Sequence, residues 1–249
     1  MPIMLVALLQ VSAGPPRASE PPPLRGQAMQ GPLTRSADER VTAMPGYGDW
    51  HPDLRYRELA LQARVQQRHA QARDYFRVSA RYSDKLSQAA LAEMYWKGEG
   101  GEADRPLAYV WMDLAAERGT PWLLGLREKY WNALDETQRA RALREGRKIH
   151  AEYADRVARP RLERLLRTGR NNVTGSHVGW ISPGLRVHAS NSLGDVMAGR
   201  APSLRGEEYY DDRYWKPESY WSWQDQILNH APRMGSVDVG PLEQVPPAD

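Results

Sequence analysis

His51, His69, His150, His177, His188 and His230 are the side chains best suited to hold a metal or carry a proton near neutral pH. None stands in an H-x-x-x-H or H-E-x-x-H pair, and the chain has no cysteine to complete a ligand set. No metal site is therefore expected, and each histidine reads as an isolated surface or loop residue. Gly175-Ser176-His177-Val178-Gly179 has the ingredients of a nucleophile elbow, but the serine follows the glycine directly and the G-x-S-x-G register fails. Gly98 to Gly101 lacks the lysine of a phosphate loop. Glu207, Glu208, Asp211 and Asp212 supply carboxylates of the kind that calcium binding or glycoside hydrolysis needs, although an exposed polar loop is the simpler reading. These patterns point to no catalytic residue and no cofactor.

Two further groups suit binding rather than reaction. Tyr209, Tyr210, Tyr214, Trp215, Tyr220, Trp221 and Trp223 crowd the segment from Glu207 to Asn229. Stacked tyrosine and tryptophan faces bind sugar rings and extended peptides, so Tyr214, Trp215, Tyr220, Trp221 and Trp223 are candidates to line a groove. The alternative is core packing, because from Pro217 onward Tyr220, Trp223 or Gln224, and Ile227 fit one helical face. Arg161, Arg164 and Arg167 share a face with Leu162, Leu165 and Leu166 opposite, within a region from Arg139 to Arg170 rich in arginine. A solvated helix face accounts for them; an anionic partner is the alternative, whether a protein, lipid headgroups or a wall polymer such as peptidoglycan. The formal charge of +3 permits contact with anionic surfaces without demanding it.

The elements that must position these groups are clearest between Ser87 and Gly119. Leu91, Met94 and Tyr95 lie on one helical face, with Ala89, Ala90 and Ala92 leaving a low surface that lets a neighbouring helix approach closely. Gly98 and Gly100 then stop the helix and allow a sharp reversal. Asp104 is placed to cap a second helix, with Pro106 in its first turn, and Leu107, Ala108, Trp111, Leu114 and Ala115 recur at helical spacing until Gly119. Burying Leu107, Trp111 and Leu114 contributes roughly 1.5–3 kcal/mol for each large side chain, enough to make this hairpin an organising core.

The spacing of Leu91, Ala92, Met94, Tyr95, Gly98, Gly100, Asp104, Ala108, Trp111, Ala115, Ala116 and Gly119 resembles the Sel-one-like repeat, a relative of the tetratricopeptide repeat. Ala72, Tyr75, Phe76, Ser79, Ala80 and Ser83 look like the second helix of a preceding unit. The resemblance covers about a fifth of the chain. It implies a short α/α solenoid that binds a protein or peptide partner rather than doing chemistry, and flanking helices must complete a stack that one unit cannot close alone.

The rest of the chain fits a mostly α protein. Leu54 to Tyr82 has neither glycine nor proline and predicts one long helix or two nearly continuous ones. Thr120-Pro121 opens the next helix, Asp135 with Gln138 resembles a capping box opening another, and Pro160 is expected to break that one. Asn171 to Leu193 predicts a short hairpin turning at Pro183-Gly184. Ile3 to Leu9 followed by Val11-Ser12-Ala13 resembles a signal peptide, implying a periplasmic or secreted protein, with the cytoplasm as the alternative because no lysine or arginine precedes the apolar run. Nucleic acid is not an expected partner, and no apolar run is long enough to span a bilayer. The expected organisation is a leader over 1–13, a disordered proline-rich tether over 14–51, the helical repeat domain over 52–170, a small irregular aromatic-rich module over 171–236 and a flexible tail over 237–249.

Overall fold

A computed structural model describes residues 36–172, 184–189, 192–199 and 201–231. The apolar leader, residues 14–35 of the expected tether, the 175–179 segment, the arm 173–183 of the expected hairpin and the 237–249 tail lie outside the described residues. The described chain is mostly helical. Among its residues no helix is long and apolar enough to cross a membrane.

The first surprise lies in the stretch assigned to the tether. α1 (Ala37–Thr42) opens with a capping box in which Ser36 and Glu39 satisfy each other's backbone N–H groups, and α2 (Tyr47–Trp50) follows. Val41, Met44 and Tyr47 are buried, so residues 36–50 are a folded part of the core rather than a tether. The reason is remote: the Tyr214 hydroxyl donates to Asp38 Oδ1 at 2.6 Å and the Trp223 indole to Asp38 Oδ2 at 3.4 Å.

Of the two alternatives for residues 54–82, the structure has two helices, α3 (Pro52–Val65) and α4 (His69–Ala80), packed against each other. Asp84 caps α5 (Lys85–Lys97) by accepting from the Ser87 N–H at 2.7 Å. Gly98, at φ 76°, ends α5. Gly100 has a stricter requirement: at φ 85° a side chain is strained, and a Cβ there would sit 2.6 Å from the His69 carbonyl. The turn thus presses directly on the start of α4. Asp104 accepts from the Leu107 N–H at 3.0 Å and caps α6 (Arg105–Ala115), which packs along α5. A 3-10 turn over Ala116–Arg118 and Gly119 lead to α7 (Pro121–Asn132).

α8 (Glu136–Tyr153) starts at the predicted capping box, with Asp135 and Gln138 bonded reciprocally. It ends at Ala154, not at Pro160. α9 (Asp155–Asn171) runs straight through Pro160, because the break is made by the extended backbone of Ala154 and by Glu117, whose carboxylate accepts the Asp155 N–H at 2.9 Å. β1 (Arg186–His188) pairs antiparallel with β2 (Ser203–Arg205), Val187 opposite Leu204, with α10 (Leu193–Met197) between them. α11 (Gly206–Tyr209), α12 (Asp212–Trp215) and α13 (Pro217–His230) complete the described chain.

Two cores result. One gathers Phe76, Leu91, Met94, Trp111, Leu114, Leu123 and Tyr153 between α4 and α8, and Leu228 of α13 joins it. The other joins Val41, Met44 and Tyr47 to Leu162 and Leu166 of α9 and to the aromatic residues from Tyr209 to Trp223. The expected boundary at residues 170–171 is therefore not a boundary between separate modules. Trp215 lies so close over α9 that a Cβ at Gly169 would meet its ring at 2.5 Å, and the Trp122 indole donates to the Leu228 carbonyl at 3.2 Å.

Candidate functional site

Tyr214, Trp215, Tyr220, Trp221 and Trp223 do come together, but inside the second core. All five are buried, and their rings meet each other or Tyr47 mostly edge to face, as in Tyr214 with Trp223 and Tyr220 with Trp221. Of the two readings the groove is corrected and core packing holds: residues 36–50 cover Tyr214, Trp215 and Trp223, while Trp221 packs against α9. Arg161, Arg164 and Arg167 do not act as one patch. Arg161 donates to the carbonyls of Arg81 and Glu152, Arg167 pairs with Glu163 at 3.1 Å, and Arg164 is exposed. The acidic run is likewise used locally, with Asp211 capping α12, Asp212 paired to Arg170 and Lys216, and Glu208 to Arg40.

The concentrated charge lies elsewhere, where α5, the 3-10 turn, α9 and α13 meet. The Lys85 ammonium, its side chain 1% exposed, donates to the Leu114 carbonyl at 2.8 Å and lies 2.9 Å from Glu117 Oε2 and 2.8 Å from Asp155 Oδ1. Arg118 Nε donates to Asp155 Oδ2 and Nη1 to Asp225 Oδ1, both at 2.8 Å, while Nη2 reaches the carbonyl and hydroxyl of Ser83 at 3.0 Å. Burial alone raises the Asp155 pKa, but Lys85 and Arg118 outweigh it and hold the carboxyl well below the usual carboxylate range. The buried Trp221 packs beside the cluster. Its indole donates to Glu163 at 3.0 Å, and the Arg118 and Arg159 guanidinium groups lie 5.0 and 4.8 Å from its ring. A groove of about 670 Å³ opens here, lined by Arg118, Asp155, Arg156, Arg159, Glu163 and Asp225 among others.

Beneath it is a second polar group. Arg57 donates to Asp84 at 2.6 Å, and Tyr220 donates to Asp53 Oδ2, whose other oxygen has no partner. Burial is the main cause that pushes the Asp53 carboxyl up to about 7. His51, expected at the surface, is instead completely buried and stacked on Tyr47 with ring centres 3.8 Å apart. Its Nδ1 faces the Tyr47 carbonyl at 2.9 Å and its Nε2 the Tyr214 carbonyl at 2.8 Å. Burial nevertheless drops its pKa to about 4, so near neutral pH the ring has one N–H to give to two carbonyls. A cavity of about 10 Å³ separates this group from the ion cluster, room for about one water and far too small for a substrate.

No spacing in the sequence connects Lys85, Glu117, Arg118, Asp155 and Asp225, which come from four elements. Sequence reasoning missed the cluster because its members lie far apart in the chain and meet only once the helices pack. As chemistry the cluster is an interlocked set of opposite charges, each carboxylate facing a cation fixed by another helix. Comparisons with protein-family models, with curated proteins and with solved structures give no match to this chain.

Proposed function

We propose that the chain is a non-catalytic helical scaffold that binds a protein or peptide partner in the bacterial envelope. The Sel-one-like spacing of Leu91 to Gly119 supports the repeat reading, and the apolar run Ile3 to Leu9 with its small-residue close supports export. The observation that carries the proposal is the way the ion cluster is used. Lys85, Arg118 and Asp155 spend their charges on one another and on neighbouring helices, fastening α5, α9 and α13 into one frame. A frame of that kind suits a docking surface, whose helices must keep their spacing when a partner arrives. Because the aromatic residues are buried, the carbohydrate-binding alternative has lost the exposed stacking faces it needs.

The test is capture of a partner by the full chain, then titration of the purified partner. Saturable binding of a protein or peptide, unchanged in chemistry on release, is the expected result. Saturable retention on purified peptidoglycan with no protein bound would overturn the proposal.

A further inference from the structure

We infer that the outer face of α8, with the groove between it and the start of α6, takes an acidic peptide segment carrying an apolar anchor. This rests on the scaffold reading and names the partner's chemistry. Ala140, Arg144, Arg147 and Ala151 fall at i, i+4, i+7 and i+11 and form one stripe of the helix, flanked by Leu143 and Lys148. All six are exposed, and Leu143 is 58% exposed, unusual for a large apolar side chain in this molecule.

The charge on this stripe is unspent. Most other arginines of the described residues are paired, whereas Arg144, Arg147 and Lys148 have no ion pair or hydrogen bond with any described residue. The groove beside them holds about 520 Å³, with Arg105-Pro106 on one side and Ala140, Arg141 and Arg144 on the other. Its one acidic wall is already neutralised, because Arg141 donates to both oxygens of Asp104, at 3.1 and 2.7 Å, and is steadied by Glu145 at 2.9 Å. Arg105 rests over the Trp96 ring at 5.2 Å and has no carboxylate. Glu136, at the first turn of α8, is the only acidic side chain on the stripe itself. The face therefore offers four guanidinium or ammonium groups beside one large apolar residue and a cleft.

That combination selects among polyanions. A bilayer would need several exposed apolar residues on the helix, and α8 has only Leu143 exposed among its large ones. A phosphodiester backbone has no use for an exposed leucine at the edge of the cationic strip. Alternating carboxylates with a leucine-like anchor satisfy both features, the charges steering the approach and the anchor fixing the register.

The probe is a short fluorescein-labelled peptide of glutamate and leucine, read by anisotropy against the full chain. It should bind, more weakly as salt rises toward physiological strength. The Arg144→Glu/Arg147→Glu/Lys148→Glu variant should lose about tenfold or more in affinity. Leu143→Ser should weaken binding severalfold at every salt concentration. These side chains hold nothing in the fold, so the circular dichroism and melting temperature of the variants should match the native chain. Equal binding by the triple variant overturns the inference, as does binding of phosphatidylglycerol vesicles or duplex DNA with no binding of the peptide. A protein partner that binds the native chain and the triple variant equally overturns this surface while leaving the scaffold reading intact.

Discussion

Asp53 and His51 are buried titratable groups pushed in opposite directions, and their opposition has a measurable consequence. Asp53 goes from 3.8 unfolded to about 7 folded, so the folded state holds the proton more tightly and stability falls as pH rises across that interval. His51 goes from 6.5 unfolded to about 4 folded, so the folded state holds the proton less tightly and stability rises with pH from about 4 to 6.5. In the shared window the two slopes cancel. Asp53→Asn keeps an acceptor for Tyr220 and removes the falling slope, so its stability should rise with pH from 4 to 6.5, by at most about 1.4 kcal/mol per pH unit. His51→Gln should show the reverse, falling across the same window. Urea denaturation at a series of pH values reads both; the same pH profile in native chain and variants would contradict the assignment. At the ion cluster, Asp155→Asn leaves Lys85 with Glu117 as its only carboxylate partner. The cost should be about 2–4 kcal/mol by the same method, below the about 3–5 of a fully buried pair broken outright.

Among the elements, local chemistry was legible wherever one residue acts on its near neighbours. Asp104, the Asp135–Gln138 box and Gly98 all work within a few residues and appear where the sequence places them, whereas the break between α3 and α4 was left open. Pro160 misled because a proline six residues into a helix normally ends it, whereas here Glu117 starts α9 from outside and its later turns pack Leu162 and Leu166 into the second core. The Gly98–Gly100 bend makes a paired prediction possible. Gly100→Ala meets both left-handed strain and the His69 carbonyl, so it should cost about 2–3 kcal/mol. Gly119→Ala at φ 76° meets open space and should cost only the left-handed strain of about 1–2 kcal/mol. Equal losses in chemical denaturation would mean that the bend does not press on α4.

For the whole molecule, the mostly helical class was readable from periodicity, but the way its ends meet was not. Residues 36–50 offer only Val41, Met44, Tyr47 and the half-buried Trp50 to the core, too few to announce a folded segment, and they become ordered by covering aromatic residues more than 150 positions away. The sequence left the aromatic cluster open between core packing and a binding groove for the same reason: its cover is remote in sequence. A chain beginning at Pro52 should therefore melt at lower temperature than the native chain and show a solvent shift in tryptophan emission as Tyr214, Trp215 and Trp223 lose that cover. The central claim is that fastened helices serve as a docking frame for a protein or peptide. Photo-crosslinking from exposed helix positions in cells, followed by titration of the recovered protein against the purified chain, tests it most directly. A saturable complex of fixed stoichiometry should form without turnover and leave the amides of α5 protected from exchange. Failure to crosslink any protein, with the chain instead held on purified peptidoglycan, would contradict it.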